Sequence, residues 1–490
     1  MLHSAAATTA AAMINLVAVL VSIVVVLLPT IYLILTRKKG SYSKLPPGWS
    51  GWPLIGETLS LLMSCPATSM GNFMELRISR FGKIFSTNIL GGQAIMSADP
   101  ELNRFVLRNE MKLFESYWPQ HLLKLFGEKN IGIQTGTDVH KQFRSIVVGA
   151  FLTASRLQTS FLDDAHEVAK QLITSWKDGS VVSIVDAAKK FLFDVIVKNA
   201  LSMESGEAET EKLRIEFTKY RRGASSIPMN FPGSQYNRAL KAKENIIRII
   251  LHVLEERLRT GEDAERNDFI GWLIKNSSLM HEQISELIKG IVSASEDTTS
   301  TLISLAIYFL ESCPKAIEQL REEHLQAVGS KTQEGPSKLT WDGYKRLEFT
   351  QCVINETLRL GNVARFLIKK ATTSVQFKGY EIPRGCRVFT HMTAVHLDPH
   401  LFEDPQVFNP WRWLSTSGMI KTNNFMAFGG GPRLCPGAEH ARLQTAIFLH
   451  HLILNYNWKS AEQDKPVANP KVQFRKGLLV NVRSASSSTN

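Results

Sequence analysis

A mainly α-helical domain with small β-sheets, preceded by one N-terminal transmembrane helix, is the fold that this 490-residue chain predicts. Three observations carry the prediction. Apolar residues recur at three- and four-residue spacing in long stretches between Glu101 and Arg359. Runs with strand character are few, short and punctuated by Gly and Pro. One apolar run, at the N-terminus, is long enough to span a bilayer.

That run, Ala12 to Thr36, is interrupted mainly by Asn15, Ser22 and Pro29. A bilayer core takes about 20 apolar residues as a helix, so the run spans with some tilt. It exceeds the roughly 7–15-residue core of a cleaved signal peptide, and no small-residue cleavage site follows it. Arg37, Lys38, Lys39 and Lys44 come next, whereas residues 1–11 carry no Lys or Arg. This asymmetry puts 1–11 in the lumen and the C-terminal bulk in the cytosol. Residues 37–50 form a basic, proline-rich hinge stiffened by Pro46-Pro47.

Residues 51–490 read as one domain. The helical spacing is clearest in Asn245 to Leu258 and in Ile284 to Leu310, and strand character shows at Lys83 to Ile95, Val375 to Ile382 and Leu478 to Val482. There is no internal repeat; Gly261 to Asn267 is a polar loop, and the Ser-rich tail from Ser484 has the composition of a disordered end. With 44% apolar and 21% charged residues the chain can bury a large core. The net charge of +12 suits an anionic membrane face, an acidic protein or nucleic acid, and does not choose among them. Five cysteines, none at C-x-x-C spacing, exclude a disulfide scaffold, a zinc ribbon and an iron–sulfur cluster, and fit a reducing compartment.

The chemistry concentrates near the C-terminus. Phe428-Gly-Gly-Gly-Pro-Arg-Leu-Cys-Pro-Gly437 matches F-x-x-G-x-R-x-C-x-G at every fixed position. Chance gives such a match in a chain this long on the order of once in ten thousand. Cys435 offers a thiolate that donates electron density to an iron. Gly437 and its neighbouring glycines let the backbone approach a flat ligand closely. Arg433 offers a cationic fork for a carboxylate. The stretch from Ala438 to Leu454 is helical, with its positive end at the sulfur.

This segment resembles the haem-binding motif of cytochromes P450, and the resemblance extends over the chain from Leu45 onward. It implies haem b with Cys435 as axial ligand, and a haem-thiolate monooxygenase fold. Glu356-x-x-Arg359, one of several such pairs in the chain, is the one followed by the family's order of elements; with Arg412 of Phe408-Asn-Pro-Trp-Arg412 it implies a buried structural cluster. Ala294-Ser-Glu-Asp-Thr-Thr299 resembles the oxygen-activating stretch of the central helix, with Asp297 and Thr298 as proton-relay residues. His140-x-x-x-Arg144, which spacing puts on one helix face, resembles a pair that holds haem propionates. Ser295, where the family commonly has glycine, Ser293, where it has a bulkier apolar residue, and Lys369, where it often has arginine, depart from the pattern.

The resemblance is strongest to the plant branch that includes the steroid C-22 hydroxylases. It rests on Gly51-Trp-Pro-Leu-Ile-Gly-Glu-Thr58, Cys352-Val-Ile-Asn-Glu-Thr-Leu-Arg-Leu-Gly-Asn-Val363, Ala394-Val-His-Leu-Asp398 and Phe408 to Trp413. Pro228 to Gly233 resembles the loop over that branch's substrate entrance, faced by Phe114 to Trp118. The implied reaction is oxidation of a sterol or cholesterol-derived side chain at or near C-22, in steroid hormone or steroidal saponin and alkaloid synthesis. The implied setting is the endoplasmic reticulum membrane, with electrons from NADPH through a separate reductase and no nucleic-acid partner. Lys421 and Arg442 are candidates to steer that acidic reductase. Another terpenoid, such as a triterpene or a gibberellin precursor, is the alternative substrate. A haem-thiolate isomerase or dehydratase, and a haem-binding sensor or steroid carrier, are the alternative functions.

Overall fold

The computed structural model describes residues 44–485 except 53–54, 128–129, 131, 135, 262–267, 329–337, 415–423 and 470, together with seven residues between 19 and 31. Most of the predicted anchor 12–36 therefore lies outside the described residues, as do most of the loop at 261–267 and Lys421. The seven residues are helical and exposed, and no helix among the described residues is long and apolar enough to cross a membrane.

Helices form the bulk. Those that position the site are α1 (Pro100–Arg108), α2 (Thr137–Ile146), α3 (Ile184–Leu201), α4 (Ala208–Ala224), α5 (Gln235–Thr260), α6 (His281–Glu311), α7 (Glu348–Gly361) and α8 (Ala438–Asn455). The six-stranded sheet is built from β1 (Gly48–Trp49), β2 (Ile84–Ile89), β3 (Gly92–Ser97), β4 (Phe114–Ser116), β5 (Phe366–Ala371) and β6 (Arg387–His391), in the order β1-β2-β3-β6-β5-β4. A hairpin pairs β7 (Val467–Asn469) with β8 (Lys471–Gln473). The strands at Ile84–Ile89, Gly92–Ser97, Val375–Phe377, Tyr380–Ile382 and Leu479–Ser484 fall where the sequence placed β character.

The 31-residue helix α6 is the axis of the molecule. It starts where the Gln283 side chain accepts a bond from the Met280 backbone N–H at 2.9 Å, closing an N-terminal cap. It stops at Glu311, three residues before Pro314, as the restriction on the residue preceding proline requires. Its C-terminal half, from Leu302 to Leu310, is buried nearly all round, which is how a helix at the centre of a large core reads. Helix α3 packs on it with Phe191, Leu192, Phe193, Val195, Ile196 and Val197 buried. Each such side chain costs about 2–5 kcal/mol if cut to alanine.

Candidate active site

The loop around Cys435 is built by short-range geometry. A 3₁₀ turn at Gly431–Arg433 and the bond from the Cys435 N–H to the Phe428 carbonyl (3.0 Å) fold it back on itself. Gly431 has φ +65°, and a Cβ there would lie 2.0 Å from the Leu107 carbonyl, so only glycine lets the loop lie against α1. Helix α8 begins three residues after the sulfur. Of the five cysteines Cys435 alone is exposed. Burial of its surroundings pushes the thiol up, while the Gly437 backbone N–H and the Arg144 guanidinium pull it down.

Helix α2 braces this loop. The His140 Nε2–H donates to the Pro432 carbonyl at 3.1 Å, and Arg144 Nη1 donates to the Leu434 carbonyl at 2.7 Å. Burial pushes the His140 ring below its usual range, against the bond to Pro432. Through this bond the ring fixes the loop. The pair expected to hold propionates thus also braces the loop on either side of Arg433.

Arg433 is itself partnered by the protein. Its Nη2 donates to the Gln134 carbonyl at 2.6 Å, and its Nε lies 3.2 Å from Glu110 Oε1. Glu110 also accepts from the Ser116 hydroxyl (2.6 Å) and pairs with Lys369 at 2.6 Å. Lys369 reaches it because β5 places Lys369 opposite Ser116 of β4. Burial lowers both Arg433 and Lys369 against the pull of Glu110. A buried lysine and a half-buried arginine sharing one carboxylate leave a net positive charge beside the loop. Glu110 gives no sign of this in the sequence, since its cationic partners are far along the chain.

Helix α6 carries the second group. Ala294 and Thr298, one turn apart, are the exposed residues between 292 and 311. They make a small-residue stripe on this part of the helix. Thr298 Oγ1 donates to the Ala294 carbonyl at 2.8 Å. Asp297 turns elsewhere: its carboxylate pairs with Lys471 of β8 at 2.5 Å. Burial would raise it, but Lys471, with help from Arg221 and Lys189, holds it below the usual carboxylate range. The adjacent Glu296 pairs with Arg221 of α4, and burial raises it to about 7. The two expected relay residues therefore make no bond to each other. The Ser295 hydroxyl is buried without a hydrogen-bond partner, and α6 runs through it without a bulge.

The expected buried cluster is present in full. Glu356, Arg359 and Arg412 join at 2.8–2.9 Å, with Trp413 Nε1 and the Asn409 N–H also donating to Glu356. Arg359 and Arg412 spend their other donors on the carbonyls of His396, Pro405, Glu403 and Val407. Two smaller expectations fail. Arg442 is no free surface cation: it donates to Gln351 and Asn355 and stacks over the Phe428 ring at 5.2 Å. Phe114 does not line an entrance, because β4 turns it into the sheet's core, whereas Trp118 is 37% exposed.

The family model for cytochrome P450 matches residues 46–484. This chain belongs to the cytochrome P450 family. Among similar proteins are a cholesterol 22-monohydroxylase of Paris polyphylla, 46% identical over 94% of this chain and 98% of its own, and a steroid (22S)-hydroxylase of Brachypodium distachyon, 45% identical over 91% and 89%. A cholesterol 16,22-dihydroxylase of Trigonella foenum-graecum is 44% identical over 94% and 96%. The solved structure titled retinoic acid bound cyanobacterial CYP120A1 shares the fold, with TM-score 0.78 at 24% identity over 90% of this chain and 99% of that one. The protein is accordingly a haem-thiolate monooxygenase of the P450 fold.

The residues present fit a haem. Cys435 is the soft anionic ligand that an iron centre takes. The stripe at Ala294 and Thr298 and the glycines at 429–431 leave room for a flat apolar ring. The excess of positive charge at Arg433 and Lys369 suits the carboxylates on its edge.

Proposed function

We propose that this P450 oxidises the side chain of a plant sterol or a cholesterol-derived steroid at or near C-22, with electrons from NADPH through a separate reductase. The observation that carries the reading is near-full-length likeness, at 44–46% identity, to proteins named for 22-hydroxylation of cholesterol or steroids. When bound, haem supplies the activation of dioxygen. The Cys435 thiolate feeds electron density to the metal. Arg433, supported by Glu110 and Lys369, holds the anionic edge, while His140 and Arg144 keep the loop under the sulfur in place. Thr298 delivers a proton from the exposed stripe of α6. On leaving Lys471, a half-exposed pair whose opening costs about 1 kcal/mol or less, the Asp297 carboxylate takes up a proton from solvent and passes it on toward Thr298.

The test is turnover of a sterol panel by the haem-loaded full chain with a plant NADPH reductase, read by mass spectrometry. One added oxygen on the side chain is the expected product. The relatives named 16,22-dihydroxylases favour a second reading, in which a second oxygen follows. Oxygen found only on the rings would overturn both.

The apolar run 12–36 serves as the membrane anchor in this reading, with the catalytic domain on the cytosolic face of the endoplasmic reticulum. Exposed Trp49, Trp52, Leu59 and Met63 at the start of the domain suit a surface held close to lipid. Alkaline extraction of membranes should leave the full chain in the pellet and release a chain that starts at residue 37; release of both sinks the anchor.

A further inference from the structure

Lys289 of α6 has no exposed surface and takes no part in the chemistry at Cys435 or Thr298. Its ammonium donates to the Glu286 carboxylate, one turn back, at 2.5 Å and to the Phe126 carbonyl at 2.9 Å. The Tyr220 ring of α4 lies 5.5 Å from it. Burying an ion pair costs its hydration, and apolar side chains of similar volume often serve stability as well or better. Stability alone therefore does not call for a charge here. What the charge adds is direction, because a lysine fixed by Glu286 holds one carbonyl of a segment 163 residues away in the chain.

That segment, residues 117–134, is tied down at both ends. The Tyr117 N–H donates to the Ile368 carbonyl of β5 at 3.0 Å, and the Gln134 carbonyl accepts from Arg433. Between them Phe126 stands edge-on to the exposed Trp118, with ring centroids 5.5 Å apart. Its fit on α6 depends on two glycines. Gly127 has φ +97°, and a Cβ there would collide with the Glu286 carboxylate. A Cβ at Gly290 would lie 2.8 Å from the Asn130 amide nitrogen, which donates to the Glu286 carbonyl at 3.4 Å. Gly290 and Ala294, four residues apart, share a helix face. The segment thus crosses α6 one turn before the exposed stripe of Ala294 and Thr298, at the edge of the space where a substrate reacts.

We propose that Lys289 is a positioning residue: with Glu286 as its counterion it straps segment 117–134 to α6 beside the haem site, and so sets how long a bound molecule stays there. The strap rests on the haem-thiolate site and not on the choice of sterol. The charged and titratable groups about Lys289 are Glu286 of α6, Tyr220 of α4 and Lys243 of α5, and the segment brings the Phe126 carbonyl. Burial lowers Lys289 to about 8 against the pull of Glu286, and Lys243 lowers it further. Burial and Glu286 push Tyr220 up, so it stays neutral. The ammonium is therefore charged at pH 7 and gives up its proton as pH rises through about 8. The strap is tight below that pH and slackens above it.

The test uses the haem-loaded full chain and 4-phenylimidazole, a small ligand of haem iron, whose release is followed by stopped-flow absorbance. The double variant E286Q/K289M removes both charges and keeps both side-chain lengths. It should release the ligand roughly tenfold faster at pH 7, the effect of losing one charge-assisted hydrogen bond. Its haem content and thermal midpoint should match those of the unmodified chain. Release from the unmodified chain should speed severalfold between pH 7 and pH 9. In K289R, whose guanidinium keeps its proton, release should stay slow and flat over that range. If K289R does not take up haem, the same pH series on E286Q/K289M, expected to be fast and flat, serves in its place. With cholesterol as substrate the loss in the double variant should fall on KM and not on kcat. Unchanged release in the double variant would overturn the strap. Faster release accompanied by haem loss and a lower midpoint would make the pair a fold element only, and would overturn it likewise. A pH dependence that persists in K289R would remove the charge of Lys289 from the account. Release of 4-phenylimidazole decides the strap whether or not cholesterol is turned over.

Discussion

Glu356 has no exposed surface and receives five donors, three of them from two cations that are themselves buried. Replacing it by glutamine keeps the shape but leaves Arg359 and Arg412 without a countercharge. Breaking a buried pair in this way costs about 3–5 kcal/mol. Glu356→Gln should therefore fold poorly and lose haem, measured by chemical unfolding and by the haem absorption of the purified protein; a loss below about 1 kcal/mol would contradict the account. Ser295 is the opposite case. Its hydroxyl is buried and unpaired, a state that costs about 1–3 kcal/mol. Ser295→Ala removes the hydroxyl and improves helix propensity, so its thermal midpoint should rise. An unchanged or lower midpoint in the haem-loaded protein would mean that the hydroxyl has found a partner there. At Cys435 the spacing of the motif, the exposure of the thiol and the family membership agree. Cys435→Ala should abolish turnover and the spectral signs of thiolate ligation while leaving the helical content intact, checked by circular dichroism.

Helices and strands decide what a residue's neighbours are, and here they redistribute the expected roles. A spacing of four put His140 and Arg144 on one face of α2, as the bonds to Pro432 and Leu434 require. Both brace the loop. In α6 each residue turns about 100° from the last, so Asp297 and Thr298 cannot share a direction. Thr298 takes the exposed stripe and Asp297 meets β8. The Asp297–Lys471 pair makes a prediction at this scale. Lys471 and, less strongly, Arg221 and Lys189 hold Asp297 low against burial. With Lys471→Ala the burial effect is left less opposed, and the carboxyl rises. The pH profile of product formed per NADPH consumed should shift upward in Lys471→Ala and stay unmoved in Lys476→Ala. An unshifted profile in Lys471→Ala would remove Asp297 from the proton path.

The whole molecule is acid-labile by construction. Burial holds His166, His391, His396 and His440 at about 3 and His450 at about 4. They come from different helices and strands, so local opening does not relieve them together. In the fold these rings are neutral, whereas in the unfolded chain they take up protons below about pH 6.5. The unfolded state then binds more protons, and stability falls as pH falls from 6.5 toward 3–4. Each ring contributes about 1.4 kcal/mol per pH unit in that window. The thermal midpoint should be flat above about pH 7 and drop steeply by pH 5.5; a flat curve through that range would show that these rings are reachable by solvent.

The sequence by itself determined whatever short-range spacing and periodicity encode. Helix α6, with apolar residues at three- and four-residue intervals, was legible because one helix buries one stripe after another. The loop at 428–437 was legible because five fixed residue types within ten positions leave little to chance. For its brace of His140 and Arg144 the shared face was legible, and the bonds to the loop were not. Only the tertiary structure decided the Glu110–Arg433–Lys369 group, the direction of Asp297 and the partners of Arg442. Each of these joins residues distant in the chain, through pairings such as Ser116 with Lys369 that no local pattern records. A side chain's type sets what it can bond. Which bond it makes is set by the groups that packing brings within about 3 Å, and packing depends on the whole chain at once.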